Sequence, residues 1–179
     1  MILLVVDTQK QITNAQLYNF KQFEENIIAL LKVARNAHVE VIFVRHDDGV
    51  GEALTKGEEG YEIYEKFQPL QNEKIFDKKV NSPFKETQLL SYLKTKEEND
   101  IVVVGLQSEY CIDATIKCGF EHGFQMFVPA YCNTTIDNMY MSAKATYEYY
   151  NEFIWKERYA QCISFQETMD IMEKSGKKS

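Results

Sequence analysis

Several features that would place this protein in other classes are missing from its 179 residues. No apolar run reaches the roughly 20 residues that a membrane-spanning helix needs. The formal net charge is −7, so a broad basic face for nucleic acid is not expected. The amino-terminal segment has neither a basic start nor a cleavage site, and it predicts a first strand rather than a signal peptide. We therefore expect a cytoplasmic protein that binds neither a membrane nor nucleic acid.

The cysteines and the overall composition also limit the possibilities. The four cysteines, at positions 111, 118, 132 and 162, form no Cys-x-x-Cys pair, and without an export signal reduced thiols are expected. The chain is 45% hydrophobic and 26% charged and has no linker, internal repeat or low-complexity segment. One globular domain over residues 1–179 is the prediction, with residues 174–179 as a basic solvated tail.

Apolar strands alternate with helical patterns along the chain. Strands are predicted at 2–7, 39–44, 74–78, 101–105, 125–128 and 160–165. Helices are predicted at about 18–36, 85–94, 109–122 and 142–155, with a capped closing helix to about 174. This alternation predicts an α/β fold of three α/β/α layers with a mainly parallel, six-stranded sheet. Residues 47–71 are predicted to form a long surface excursion.

Three polar residues, Asp7, Lys78 and Cys111, lie at or just after the ends of predicted strands, at the edge where parallel sheets form their sites. Each has a structural explanation too: an acid can cap a helix, a lysine can be surface charge, and a cysteine can fill a core. Cys111 differs because it falls in the first turn after a buried strand. A helix amino terminus and a nearby lysine both favour a thiolate there.

Three segments together resemble the isochorismatase-like cysteine hydrolases, a superfamily that includes nicotinamidases and carbamoylsarcosine-type amidases. Its nucleophile segment is similar to residues 105–112, which read Gly105-Leu106-Gln107-Ser108-Glu109-Tyr110-Cys111-Ile112. Thr115, Gly119 and Gly123-Phe124 follow this segment and belong to the same similarity. Its opening Asp-x-Gln strand is similar to Val5-Val6-Asp7-Thr8-Gln9. Its lysine segment, with an aromatic residue six positions on, is similar to Lys78 followed by Ser82-Pro83-Phe84. The resemblance covers nearly the whole chain, in the same order.

The resemblance implies an Asp-Lys-Cys triad that hydrolyses a small amide, lactam or ureido C–N bond. Asp7 would take the thiol proton, Lys78 would balance charge, and Cys111 would attack the carbonyl carbon to give a thioacyl enzyme. A cis peptide at Leu106–Gln107 would direct the N–H groups of Gln107 and Cys111 to the oxyanion.

The resemblance also implies which residues bind the small-molecule substrate and how the chain assembles. Predicted substrate-binding residues are Gln9, His46, Phe84 and Tyr110. A homo-oligomer, either a dimer or a tetramer, is expected, and no cofactor is expected. A group of aromatic residues lines either the pocket or an oligomer contact, and the sequence does not separate the two: Tyr18, Tyr61, Tyr64, Phe67 and Tyr110.

Departures from the family pattern narrow the chemistry. Nicotinamidases share an Asp-x-His element and a further histidine that bind a metal. Here His46 and Asp48 stand in that region, and no third ligand is available because His38 and His122 are predicted at helix ends away from the site. No metal is therefore expected, and the chain is placed nearer to streptothricin hydrolase-like members. Ala130 replaces the usual Asp of the next strand, which changes the surroundings of the pocket.

Rival functions stay open at the level of the sequence. Cys111 argues against vinyl-ether cleavage, because true isochorismatases lack the nucleophilic cysteine. A metal-assisted nicotinamidase is one alternative. A thiol-based redox protein is another and predicts a second cysteine within disulfide reach. A catalytically silent binding protein is the third, and it predicts that Asp7 and Lys78 lie too far from Cys111 to interact.

Overall fold

The computed structural model describes residues 1–175, and most of the predicted basic tail lies outside the described residues. The strands are β1 Ile2–Val6, β2 Glu40–His46, β3 Lys74–Lys78, β4 Asp100–Leu106, β5 Gln125–Pro129, β6 Asn133–Thr134 and β7 Gln161–Ile163. The helices are α1 Phe20–Asn36, α2 Leu89–Lys94, α3 Asp113–Glu121, α4 Ala143–Glu148 and α5 Phe165–Ser175. Two π-helical turns, Ser108–Ile112 and Tyr149–Ile154, precede α3 and follow α4. Among these described helices, none is long and apolar enough to cross a membrane.

The strands form one parallel sheet in the order β3-β2-β1-β4-β5-β7. Each of the six predicted strands is present, so the predicted fold class is confirmed. The sheet has seven strands rather than six because the two-residue β6 pairs with the end of β4. A strand of two residues is too short to show any periodicity, which is why the sequence did not predict it.

The sheet is covered on both faces, as the continuous apolar run of β1 predicts. Leu3 and Val5 face a core that is shared with α1 and α5. Ile2, Leu4 and Val6 face a second core, which is shared with α2 and α3. All five residues are fully buried. The three predicted layers are therefore confirmed, and the strand ends that carry polar residues all reach one edge.

Three helices differ from their predicted bounds. The helix predicted from residue 85 begins only at Leu89, because the Thr87 hydroxyl accepts a hydrogen bond from the Leu89 N–H and residue 86 has a positive φ. The helices predicted at 109–122 and 142–155 are each part π-helix, which periodicity does not distinguish from α-helix. The predicted capping box is present: Ser164 accepts from the Glu167 N–H, and Glu167 accepts from the Ser164 N–H.

Gly105 gives a test of how tightly β4 packs against β1. Its φ is +126°, and a Cβ at this position would overlap the carbonyl oxygen of Val6. We expect Gly105→Ala to lower the free energy of unfolding by more than about 3 kcal/mol, because the overlap adds to the backbone strain. Gly123→Ala is the matched control, since Gly123 has φ +89° and open space around it. It should cost only about 1 kcal/mol, and equal losses in urea unfolding would contradict the packing argument.

Candidate active site

Asp7, Lys78 and Cys111 converge at the carboxyl edge of the sheet. Asp7 follows β1, Lys78 ends β3, and Cys111 lies in the π-turn after β4. The Lys78 ammonium Nζ lies 2.7 Å from Asp7 Oδ2 and 3.1 Å from Cys111 Sγ. The predicted convergence is therefore observed, although β2 and β1 separate the strands that supply the lysine and the cysteine.

The Lys78 ammonium is buried and uses all three of its donors. Its side chain is 0% exposed. Besides Asp7 and Cys111, it contacts Nδ1 of His46 at 2.8 Å. A buried ammonium is very unfavourable unless it is paired and hydrogen-bonded, and this one has a complete set of acceptors.

The contact with Lys78 fixes the protonation state of His46. An ammonium offers only donors, so Nδ1 must accept, and the single proton of a neutral imidazole is then on Nε2. Nε2 lies 3.0 Å from Asp48 Oδ1. A doubly protonated ring would place an N–H and a positive charge against the ammonium at 2.8 Å. His46 is therefore a neutral bridge between Lys78 and Asp48.

The residues around Lys78 do not fit a metal ion. A carboxylate oxygen of Asp7, a ring nitrogen of His46 and Sγ of Cys111 lie within 4.8 Å of one another, which is a spacing that metal ligands can have. The Lys78 ammonium already contacts all three side chains, and a second cation would have to displace it. His46 Nε2 carries a proton and offers no lone pair. No step is therefore assigned to a metal here.

Burial shifts the pKa of both acidic groups beside Lys78. Desolvation raises the pKa of the Asp7 carboxyl, although the charge of Lys78 opposes the shift. Desolvation and then the charge of Asp7 raise the pKa of the Cys111 thiol to about 12. The sequence had suggested a thiolate, but these two effects outweigh the lysine and the helix terminus. Asp7 Oδ1 is buried and has no hydrogen-bond partner among residues 1–175, so it is available to accept the thiol proton.

The turn that carries Cys111 begins with the predicted cis peptide, Leu106–Gln107. The carbonyl oxygen of Gln107 accepts from the N–H groups of Tyr110 and Ile112, at 3.1 and 3.2 Å. The Gln107 N–H has no acceptor among residues 1–175. Single π-turns inside helices are frequent at functional sites. The oxyanion role of the Gln107 and Cys111 N–H groups stays a prediction.

A cavity of about 280 Å³ opens above these side chains. Its size is at the lower end for small-molecule sites, which favours a small ligand. Ten residues line it: Asp7, Ile12, His46, Asp48, Leu54, Asn81, Leu106, Gln107, Tyr110 and Cys111. Of the four predicted substrate-binding residues, His46 and Tyr110 are in this lining.

Gln9 and Phe84, the other two predicted substrate-binding residues, have different roles. Gln9 is fully buried: its Oε1 accepts from the His46 N–H, and its Nε2 donates to the carbonyls of His46 and Tyr61. Its amide thus joins β2 to the excursion. Phe84 packs in the core, with ring centroids 5.4 Å from His122 and 6.3 Å from Phe124. The predicted substrate contact is therefore not available to either side chain as placed.

The excursion supplies a wall of the cavity that the sequence did not predict. Leu54 is buried over the site, and its carbonyl accepts from the Asp48 N–H. Tyr61 and Phe67 lie in the core, so of the five aromatic candidates only Tyr110 lines this cavity. Ile12, Leu54 and Asn81 were missed because they lie in loops, where no periodicity indicates which side chain faces inward.

A buried polar network holds the turn of Cys111 from behind. Ser108 Oγ donates to Asn133 Oδ1 at 2.7 Å. Asn133 Nδ2 donates to Asn151 Oδ1 at 2.9 Å, and Asn151 Nδ2 donates to the Tyr147 carbonyl at 2.9 Å. The network links the first π-turn to β6 and to the second π-turn, so both irregular turns share one set of hydrogen bonds.

With this geometry in view, comparison with known proteins identifies related chains. The isochorismatase domain matches residues 1–155. An uncharacterized isochorismatase family protein of Bacillus subtilis, YddQ, is 32% identical over 141 residues, which cover 75% of this chain and 78% of that protein. A crystal structure of an isochorismatase family protein superposes with a TM-score of 0.83 and 26% identity, covering 91% of this chain and 97% of the other.

Two relatives have names that state an activity. Nicotinamidase 3 of Arabidopsis thaliana is 25% identical over 139 residues, covering 70% of this chain and 68% of the relative. Streptothricin hydrolase of Streptomyces noursei is 27% identical over 108 residues, covering 60% of this chain and 39% of the relative. The placement nearer to streptothricin hydrolase-like members stays a prediction.

The raised pKa of Cys111 gives a testable prediction. Because this pKa is about 12, alkylation by iodoacetamide should keep accelerating above pH 9, where an ordinary thiol is already half ionised. Asp7→Asn removes the negative charge that raises this pKa, so its rate should level off at a lower pH. Peptide mass spectrometry measures the labelling of Cys111. A plateau near pH 9 in the unmodified protein would contradict the assignment.

The polar network predicts unequal costs for two substitutions. Asn133→Ala leaves Ser108 Oγ and Asn151 Oδ1 buried without partners, and should lower the free energy of unfolding by about 2–4 kcal/mol. Ser108→Ala should cost about 1 kcal/mol, because Asn133 Oδ1 still accepts from Asn151 at 3.1 Å. Urea unfolding of both variants and of the double variant checks this. Equal costs that simply add would show that the groups do not act as a network.

Proposed function

We propose that this chain, which belongs to the isochorismatase family, hydrolyses a small-molecule amide, lactam or ureido C–N bond with Cys111 as the nucleophile. The observation that carries the proposal is the single buried ammonium shared by Asp7 and Cys111 at the base of a cavity. A structural lysine could satisfy its three donors with oxygen and nitrogen acceptors alone. A lysine that also contacts a thiol sulphur keeps its charge close while the sulphur loses its proton.

In the proposed first step, Asp7 Oδ1 takes the proton of the Cys111 thiol as Sγ attacks the carbonyl carbon. Negative charge moves to the carbonyl oxygen, which the N–H groups of Gln107 and Cys111 stabilise. The C–N bond then breaks, and the leaving nitrogen takes the proton from Asp7. The acyl group stays on Cys111 as a thioester, and the amine departs or, in a lactam, remains attached to the acyl group through the opened ring.

In the second step a water molecule loses a proton to Asp7 and attacks the thioester carbon. The C–S bond breaks, the acid departs, and the proton returns to Sγ. Overall an amide and one water give an acid and an amine. Lys78 keeps its proton throughout and offsets the negative charge, which moves from Asp7 to the carbonyl oxygen and back.

The choice of an amide-like C–N bond is supported by the named relatives. Nicotinamidase and streptothricin hydrolase are names of hydrolases, and the first names an amide directly. The metal-free form of the reaction is supported by the contacts of Lys78 and the proton on His46 Nε2. A nicotinamidase-type, metal-assisted reaction has less support because this chain would have to break those contacts first.

The two other rival functions lose support as well. A silent binding protein predicts separated side chains, whereas Lys78 lies 2.7 Å from Asp7 and 3.1 Å from Cys111. A redox protein predicts a cysteine partner, whereas all four cysteines, within the chain as described, are free.

The cytoplasmic location stays a prediction. So does the homo-oligomer, for which Met139 and Tyr140, 87% and 86% exposed, offer a contact surface.

Substitution of the nucleophile tests the proposal. Against a panel of small amides, lactams and ureido compounds, Cys111→Ala should lose turnover by about a thousandfold or more. Cys118→Ala is the matched control, because Cys118 is a partly exposed thiol on α3 outside the cavity, and its turnover should be unchanged. Rapid acid quench and mass spectrometry of the unmodified protein should show the acyl mass on Cys111. Retained turnover in Cys111→Ala would refute the mechanism.

A further inference from the structure

The carboxylate of Asp48 stands in the cavity wall with one oxygen unused. It follows β2, and its side chain is 35% exposed. Oδ1 lies 3.0 Å from His46 Nε2. Oδ2 has no hydrogen-bond partner among residues 1–175. Asp48 therefore brings a carboxylate with one unpaired oxygen to the lining of the cavity.

Asp48 also carries the one formal charge of the described cavity lining that no cation offsets. The charge of Asp7 is offset by Lys78 at 2.7 Å. His46 is neutral because its Nδ1 accepts from that same ammonium. The remaining lining residues are apolar, amide, phenol or thiol side chains. The walls of the cavity, together with Lys78, thus have a net charge of −1.

The cations close to this edge are engaged elsewhere. Arg45 pairs with Asp77 at 2.9 Å and with Glu62 at 3.2 Å. Lys79 lies 3.9 Å from Asp47, the neighbour of Asp48. Neither cation lines the cavity. The carboxylate of Asp48 is consequently left for a ligand.

We propose that Asp48 is a specificity-determining residue that selects substrates bearing a positively charged nitrogen, such as an ammonium, amidinium or guanidinium group. This role of Asp48 rests on the proposed function, because the residue can select a substrate only where Cys111 hydrolyses one. The cationic group would pair with Asp48 while the amide carbonyl lies at Cys111, and the hydrocarbon between them packs on Ile12, Leu54 and Leu106. A cavity of about 280 Å³ limits the substrate to a small molecule.

Charge-selective labelling of Cys111 tests this subsite without knowledge of the substrate. The probes are two methanethiosulfonates, one with a trimethylammonium-ethyl group and one with a sulfonato-ethyl group. Each forms a mixed disulfide with Cys111 and releases methanesulfinate. Peptide mass spectrometry gives the ratio of the two rates, normalised to Cys118 in the same sample. EDTA is present throughout, so that no divalent cation occupies the carboxylate.

We expect the cationic probe to label Cys111 at least about tenfold faster than the anionic probe after normalisation. Asp48→Asn keeps an acceptor for His46 and removes the charge, so the ratio should fall to about one. Asp47→Asn is the matched control, because Asp47 is the adjacent carboxylate, is paired with Lys79 and does not line the cavity. It should keep the ratio of the unmodified protein.

A second measurement needs no variant. In the unmodified protein the preference should shrink at about 1 M salt, where exposed charges are screened beyond roughly 3 Å. Equal labelling by the two probes at low salt, or an unchanged preference in a folded Asp48→Asn, would overturn the inference.

A hydrolysis assay separates the proposed cation subsite from the proposed hydrolase activity. The pair 3-(trimethylammonio)propanamide and 4,4-dimethylpentanamide have the same shape and differ in charge. We expect kcat/KM to favour the cationic amide by about tenfold, and Asp48→Asn to remove the preference. Turnover of both amides at equal rates would overturn the subsite and leave the hydrolase proposal intact. Selective labelling with no turnover of any panel amide would support the subsite and count against the hydrolase.

Discussion

The three hydrogen bonds of the Lys78 ammonium determine the chemistry of the whole site. A cation with 0% exposure must be fully paired, because an unpaired buried charge costs several kcal/mol. Its acceptors are Asp7, His46 and Cys111. Asp7 is therefore paired with a cation, His46 presents Nδ1 as an acceptor, and Sγ lies within reach of both a base and a cation. One side chain thus orients three neighbours.

The sheet order explains why that side chain is a lysine. β3 and β1 are separated by β2, and two strand spacings amount to about 10 Å. Lys78 must reach across the end of β2 to meet Asp7, and the four-carbon stem of lysine spans that gap with a compact charge at its tip. The Gln9 side chain contacts the end of β2 directly. Its amide forms hydrogen bonds with the N–H and the carbonyl of His46 and so holds that residue in place. Lys78 thus connects the end of β3 to Asp7, and Gln9 connects the segment after β1 to His46 of β2.

The residues of the site differ in how far the sequence could predict them. Asp7, Lys78 and Cys111 lie at or shortly after strand ends, which meet in a parallel sheet, and the resemblance to the isochorismatase-like hydrolases singled them out as a triad. Gln9 belonged to the same motif, but its partners are backbone groups that reach it only once the excursion has folded back. Leu54 and Ile12 lie in loops, without any pattern that indicates direction. The pKa of Cys111 was misjudged because local signals favoured a thiolate, whereas burial and Asp7 depend on the tertiary structure.

The protonated thiol has a consequence for how the site discriminates among ligands. With the proton on sulphur, Asp7 and Lys78 cancel, and the base of the cavity has no net charge to attract or repel a ligand. Long-range electrostatic selection then falls to the walls, where Asp48 stands opposite apolar side chains. His46 presents Nδ1 as an acceptor to the Lys78 ammonium, and in that neutral form it leaves the charge of Asp48 in place. The same buried cation that prepares the nucleophile thereby keeps the wall negative.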